Sequence, residues 1–265
     1  MKIYISADIE GVTGVTHWDE TDLHKEDSKV FREQMTAEVV AACEGALQAG
    51  ATEIWIKDAH DTGRNLISSK LPKEASLIRG WTGHPLAMVQ ELDSSFAAVM
   101  MIGYHSRAGA STSPLAHTMT GKLAHISIND RYASEFLIHA YAAASLRIPV
   151  VFVSGDKGLC DDVAQLNPRI ETVAVKQGVG EATVNIHPEL ATTRIREGAA
   201  KALRGSVAQC QIPLPVHFLV DISYRDHYNA HAYGFYPGAS QRDASTVRFE
   251  SDSYFEVMRF LFFAA

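Results

Sequence analysis

Three apolar runs in this chain each end abruptly at acidic residues or a histidine, and that recurring pattern does most to limit the fold. Residues 2–7 (KIYISA) alternate in the manner of a strand and run straight into Asp8-Ile9-Glu10-Gly11. Residues 53–57 (EIWIK) run into Asp58-Ala59-His60, and residues 97–103 (AAVMMIG) into Tyr104-His105. A run with no polar alternation, such as AAVMMIG, must be covered on both faces, as strands of parallel sheets are.

Helical patterns separate these runs. Phe31, Met35, Val39, Cys43 and Leu47 recur every four residues across 28–48, and Gly50 supplies a stop. Further strands are expected at 125–128 and 149–153, with a helix at about 134–146 between them and another at about 188–203. The alternation predicts an α/β fold, a mostly parallel sheet covered by helices on both faces. From about Ser206 the texture changes: PLPVHFLVDIS and TVRFES read as β segments and SDSYFEVMRFLFFAA as a final helix. The expected division is a catalytic α/β domain over 1–205 and a smaller C-terminal α/β unit over 206–265.

Composition narrows the function. Twenty-four basic residues against 31 acidic ones give a formal charge of -7, and no Lys/Arg run stands out. Nucleic acid or an anionic membrane surface would require a concentrated basic footprint, so neither is an expected partner. No stretch approaches the roughly 18 apolar residues of a membrane span. Acidic residues stand where a signal peptide would be apolar, so the expected location is the cytoplasm. The three cysteines, Cys43, Cys160 and Cys210, are too sparse for a disulfide framework or a structural zinc ribbon. No GxGxxG or P-loop follows the first strand, which counts against nucleotide binding. A peptide or other small substrate fits best.

Asp8, Glu10, His60 and His105 share one placement, just beyond an apolar run. In an open parallel sheet, that carboxyl edge is where ligands bind. Asp8 and Glu10 stand two apart, so in extended chain both side chains project to one side, where they repel unless a cation or proton neutralises them. Glu135 follows the Ile128-Asn129-Asp130 turn near the start of an expected helix. A catalytic zinc takes three protein ligands and a water, so five ligands are too many for one open site. Sharing one carboxylate gives each of two ions three. Three carboxylates against two Zn2+ leave one positive charge over, which a bridging hydroxide would balance while serving as nucleophile. Imidazole with carboxylate suits Zn2+, with Mn2+ and Co2+ as alternatives.

Taken singly, each of these residues has another reading. An acidic pair after a first strand also serves as a ribose contact or a helix cap. A loop histidine is commonly a hydrogen-bonded surface group, and Glu135 suits the first turn of a helix through the dipole. Asp58 either caps a turn or orients His60 from behind. Spacing alone leaves these alternatives open.

The strings MKIYISADIEGVTG, KDAH, IGYHSRAG, AHTMTG and INDRYASE, in that order and spacing, resemble the zinc-dependent D-aminopeptidase family of Bacillus dipeptide-transport operons. The likeness runs through VFVSGD and VAVKQ, between Val151 and Gln177, and weakens over the last third. It implies hydrolysis of an N-terminal D-amino acid, such as D-Ala, from a short peptide or amide. It implies two zinc ions per chain, with Asp8 bridging, Glu10 and His60 on one ion, and His105 and Glu135 on the other. It implies a catalytic role for His117, assisting the developing oxyanion or passing a proton to the leaving amine. It also implies a homodecamer of stacked pentameric rings whose sites open onto an internal chamber.

Two rivals share the ligand chemistry. A dinuclear phosphoesterase would add cations to clamp the phosphate, and only Arg107 and Arg131 lie near the motifs. A non-catalytic protein capturing a peptide amine would need fewer ligands than five plus His117. The small-residue loop HSRAGASTSPLAHTMTG fits a snug substrate pocket or an ordinary flexible loop. The aromatic segment 227–236 (HYNAHAYGFY) reads as a packing or subunit-contact segment, or as an entrance lining.

Overall fold

The N-terminal run forms β1 (Lys2–Ala7), buried from Ile3 onward, and it becomes the hinge of the whole topology. A computed structural model describes residues 1–265. After β1 come α1 (Ser28–Gln48), β2 (Glu53–Asp58), β3 (Ala75–Ile78) and β4 (Ala98–Tyr104). Next are β5 (Leu123–Ile128), β6 (Arg131–Tyr132), α2 (Glu135–Ser145), β7 (Val150–Asp156) and α3 (Lys157–Leu166). They are followed by β8 (Glu171–Val179), β9 (Ala182–Asn185) and α4 (Pro188–Arg204). The chain closes with β10 (Phe218–Tyr224), α5 (His227–Tyr233), β11 (Ala239–Gln241), β12 (Thr246–Ser251) and α6 (Tyr254–Ala264).

Seven strands form the main sheet in the order β3-β2-β1-β4-β7-β8-β9. All neighbours are parallel except β8 and β9, which form an antiparallel edge. The fold is thus the expected α/β arrangement with a mostly parallel sheet. Every residue of β4 is buried, which accounts for its lack of polar alternation. The chain winds outward from β1 through β2 to β3, then returns to β4 and winds the other way through β7 and β8. That reversal puts the topological switch between β1 and β4, the place where such sheets bind ligands beyond their strand ends.

Helix α1 ends as expected. Gly50 adopts a left-handed φ of +92°, and the Ala51 N–H returns to the Ala46 carbonyl at 3.0 Å. Helix α1 packs on α4, while α2 packs on β4 and on α6.

The expected boundary near residue 205 is crossed by a second, antiparallel sheet of order β11-β12-β10-β5-β6. β5 and β6 come from inside the 1–205 span, so the segment 206–265 does not complete its sheet alone. β5 therefore pairs with β10 rather than joining the parallel sheet. One apolar cluster of 70 buried residues runs through both sheets. Elements the sequence reading passed over are β3, β6, α3, β8, β9, α5 and β11.

His139 on α2 is wholly buried; its Nδ1–H donates to the Glu135 carbonyl at 2.7 Å and its Nε2 has no partner. Burial holds its pKa down at about 4, against the ordinary 6.5. The unfolded chain therefore takes up this proton first as the pH falls. The associated stability is complete above pH 6.5 and is lost as the pH drops towards about 4, in total about 3 kcal/mol. The urea midpoint of His139→Leu should accordingly fall less steeply than that of the parent chain between pH 7 and pH 4.5, measured side by side.

Candidate metal centre

At the switch point, the chain leaves β1 at Ala7 and folds back at once. The Asp8 N–H donates to the Ile102 carbonyl, the Gly11 N–H to the Gly103 carbonyl, and the Val12 N–H to the Ile9 carbonyl. Asp8 and Glu10 therefore converge through a turn, not through the extended pleat expected from their spacing. The approach needs Gly103, whose φ is +71° and where a Cβ would lie 2.3 Å from the Asp8 carbonyl oxygen.

His60 lies two residues beyond β2, His105 immediately beyond β4, and Glu135 opens α2 behind the Ser134 N-cap. The fold brings all five expected ligands together. Asp8 and Glu10 are each 2% exposed, Glu135 4%, His60 8% and His105 1%. His60 Nδ1 stands 3.4 Å from Asp8 Oδ1 and 3.0 Å from Glu10 Oε2. His105 Nε2 stands 3.6 Å from Asp8 Oδ2 and 3.4 Å from Glu135 Oε2. Three groups close enough to hold a cation result: Asp8–Glu10–His60 and Asp8–His105–Glu135, with Asp8 common to both, and Glu10–His105–His117.

Backbone carbonyls fix the histidine tautomers. His60 Nε2–H donates to the Thr21 carbonyl at 3.0 Å, which turns a bare Nδ1 towards the carboxylates. His105 is reversed: its Nδ1–H donates to the Ser106 carbonyl at 2.9 Å, leaving Nε2 inward. His117 follows His105, with Nδ1–H on the Leu115 carbonyl and Nε2 3.5 Å from Glu135 Oε1 and 3.9 Å from Glu10 Oε1. Its ring stacks on His105, centroids 4.3 Å apart, and meets the edge of Trp18.

These residues fit divalent cations on three grounds. Asp8 Oδ2, Glu10 Oε2 and His105 Nε2 are buried without a hydrogen-bond partner, an arrangement proteins avoid unless something binds there. The donor set, carboxylate with imidazole, is that of zinc. Two tetrahedral ligands at about 2.05 Å from one ion sit about 3.3 Å apart. The four histidine–carboxylate separations, 3.4, 3.0, 3.6 and 3.4 Å, scatter about that figure.

The charge balance leads to the same requirement. Burial lifts Asp8 well above the usual carboxylate range, and Glu10 beside it adds to the lift. Burial would raise Glu135 too, but His105 outweighs it and holds the carboxyl at about 2. Burial alone would depress His105, yet Glu135, Glu10 and Asp8 carry it up to about 10. Three buried carboxylates thus demand positive charge, and a cation entering this cluster displaces the imidazole protons that otherwise supply it.

A cavity of about 770 Å3 opens above the cluster, a size suited to small-molecule ligands. His117 and Met119 line it, whereas the small residues 106–116 do not. Those small residues serve packing instead: Thr112 lies against Gly158 and accepts the Gly178 N–H at 2.9 Å. Segment 227–236 is absent from the lining; Tyr233 stacks on Tyr224, and Tyr236 packs on Phe249 and Phe260. Arg107 and Arg131 line a separate pocket of about 180 Å3, so no arginine clamp faces the cluster.

Supporting groups surround the cluster, most of them unmarked in the sequence. Asp58 does not touch the His60 ring. Its carboxylate accepts the Asn65 N–H at 2.6 Å, the Leu66 N–H at 2.7 Å and the Asn65 amide at 3.0 Å. Asn65 in turn donates to the His60 carbonyl, so the pair clasps the loop that presents the ligand. Lys176, buried on β8, donates to the carbonyls of Glu10 and Val15, and Glu38 on α1 accepts the Thr13 N–H. Asp156 holds the residue after His105, accepting from both the Ser106 N–H and its hydroxyl. Of these, Asp58 carries a signal in the sequence and takes the turn-capping role of its two expected ones, and Asp156 carries another, an acid between an apolar strand and a helix start.

A peptidase family described as D-aminopeptidase matches residues 1–263. A D-aminopeptidase of Bacillus subtilis (strain 168) is 31% identical over 258 residues, spanning 97% of this chain and 93% of that protein. The solved structure of the Zn-dependent D-aminopeptidase DppA from Bacillus subtilis, described as a self-compartmentalizing protease, superposes with a TM-score of 0.92 at 29% identity. That superposition covers 100% of this chain and 96% of the other.

The loop clasp yields a differential test. Asp58→Ala removes the acceptor of two buried N–H groups, and should cost about 2–4 kcal/mol of stability. It should also weaken by roughly 10–100-fold the metal held at the Asp8–Glu10–His60 triad. Titration with a competing chelator should therefore strip metal from the variant at lower chelator concentration than from the parent chain.

Proposed function

The chain belongs to the D-aminopeptidase family of peptidases, and from that premise we propose that it is a dinuclear zinc enzyme removing N-terminal D-amino acids, D-Ala among them, from short peptides or amides. The observation that carries the proposal is the pair of ligand triads sharing Asp8. In this reading Asp8 bridges, Glu10 and His60 complete one zinc site, and His105 and Glu135 complete the other. When bound, the two ions would supply Lewis acidity to the scissile carbonyl and acidify a water at neutral pH.

The chain's own residues do the rest. The carbonyl contacts of His60 and His105 orient their inward nitrogens towards the carboxylates, where a bound cation would displace their protons. His117 presents Nε2 to the same space, with its other nitrogen committed to the Leu115 carbonyl. It is more exposed than the five ligands, its side chain 13% accessible, and it lines the cavity. A group so placed accepts a proton from the attacking water and returns it to the leaving amine nitrogen. Trp18, edge-on to His117, limits where that ring can turn.

The self-compartmentalizing relative supports a further part of the reading: assembly into stacked pentameric rings that admit only short peptides. Large aromatic residues exposed near the C-terminus, Phe235 at 76% and Phe263 at 59%, are of the kind subunit contacts cover. A cytoplasmic location belongs to the same reading; no helix is long and apolar enough to cross a membrane.

D-Ala-p-nitroanilide should be hydrolysed and its L-enantiomer spared, by protein carrying about two zinc ions per chain, with activity lost on chelation. Preference for the L-amide, or full activity without metal, would overturn the proposal.

Single substitutions divide the roles. Asp8→Asn should lose both ions, because the bridge serves both. His117→Ala should keep both while kcat falls roughly 10²–10⁴-fold. Loss of one ion from the His117 variant, read by metal analysis, would instead make His117 a ligand.

A further inference from the structure

The mouth of the cavity differs in charge from its floor. Asp22 and Asp61 line it, and neither forms an ion pair; Asp22 only accepts the His24 N–H. Asp19 also lines it, but is offset by Lys25 at 3.4 Å. No lysine or arginine lines the cavity anywhere. The Lys57 ammonium lies 3.7 Å under the Trp81 ring and is committed to the carbonyls of Asp58 and Gly80. Trp81 is itself pinned, its indole N–H donating to the Asp61 carbonyl at 2.6 Å. Trp18 and Trp81 are 45% and 43% exposed, so two fixed indole faces stand among the free carboxylates. Below them lies the buried cluster of Asp8, Glu10, His60 and Glu135, so these groups frame the approach to a built site and are not a patch of surface acid.

Carboxylates beside indole faces recognise organic cations, by charge and by cation–π attraction. Above the metal-binding floor, a carboxylate on the substrate would meet no lysine or arginine, and only His24 and His117 among basic side chains. We infer that the mouth formed by Asp22, Asp61, Trp18 and Trp81 selects short peptides carrying a basic side chain beyond the scissile bond, and disfavours those carrying an acidic one there. The inference rests on the aminopeptidase reading of the floor and adds the chemical class of the departing residue. It also explains how a dipeptide amide, lacking a terminal carboxylate, would suit the site.

The test compares D-Ala-L-Lys-amide, D-Ala-L-Gln-amide and D-Ala-L-Glu-amide on the zinc-loaded protein. At low ionic strength kcat/KM should favour Lys over Glu by about tenfold, and the ratio should shrink at about 0.5 M salt. In Asp22→Asn, Asp61→Asn and the double variant, the Lys/Glu ratio should fall towards unity. A ratio is independent of the fraction of folded enzyme, so weakly folding variants still answer.

Binding supplies a second readout. Two of the chain's three tryptophans stand at the mouth, so their fluorescence reports occupancy. Acetyl-Gly-Lys-amide, whose blocked amine an aminopeptidase leaves intact, should shift the emission at concentrations where acetyl-Gly-Glu-amide does not. Equal turnover of all three amides, or equal binding of the two blocked probes, would overturn the inference and leave the aminopeptidase reading standing. No turnover even of the neutral Gln amide would take down both.

Discussion

Three carboxylates buried within a few ångströms of one another are the constraint around which this molecule is arranged. Asp8, Glu10 and Glu135 are each at most 4% exposed, and two of them follow the same strand. Repulsion and desolvation oppose that placement strongly, and only positive charge delivered to the same point can offset them. The fold delivers it from three directions: His60 from the end of β2, His105 from the end of β4, and His117 from the loop before β5. A parallel sheet whose winding reverses between β1 and β4 is an efficient scaffold for this, because neighbouring strand ends diverge there and leave a crevice.

Holding the cluster open costs further structure, and much of the surrounding polar network serves that end. The loop after β1 carries Asp8 and Glu10 between the buried Ala7, Ile9 and Val12, and Lys176 and Glu38 grip its backbone from β8 and α1. Asp58 and Asn65 do the same for the His60 loop, and Asp156 for the residue after His105. Each of these groups is buried and bonded chiefly to backbone, so each fixes the position of a ligand without entering the cluster. The main-chain contacts to His60 Nε2 and His105 Nδ1 belong to the same layer. They decide which nitrogen faces inward, a property as consequential for metal binding as the presence of histidine itself.

The parts of this arrangement legible in the sequence are those set by local pattern. β1, β2 and β4 announce themselves because strands covered on both faces leave long apolar runs, and the ligands follow because strand ends are where such sheets bind. Glu135 was legible as a first-turn residue whose cap, Ser134, precedes it. The pairing of β5 with β10 was not, since a short segment such as LAHISI has the same period of two in either sheet. Lys176 reads as an ordinary polar residue of an edge-side strand; only the meeting of β8 with a loop more than 150 residues earlier gives it its role. The link between Trp81 and Asp61 was illegible for the same reason, being a hydrogen bond across 20 residues of chain that include β3.

Floor and mouth of the cavity meet the substrate with opposite electrostatic demands. In the reading proposed above, two dications at the floor would balance its three carboxylates and a hydroxide, and would draw the scissile carbonyl oxygen inward. The mouth, with unpaired Asp22 and Asp61, carries negative charge. A peptide entering between them is oriented before any specific contact forms, its carbonyl oxygen drawn inward and its cationic groups held outward. A phosphate ester would experience the same field with the wrong polarity at the entrance, and the arginines that could reverse it face another pocket. The charge pattern thus reinforces what the ligand geometry selects: the metal triads set the reaction, and the ring of acids and indoles above them decides which molecules reach it.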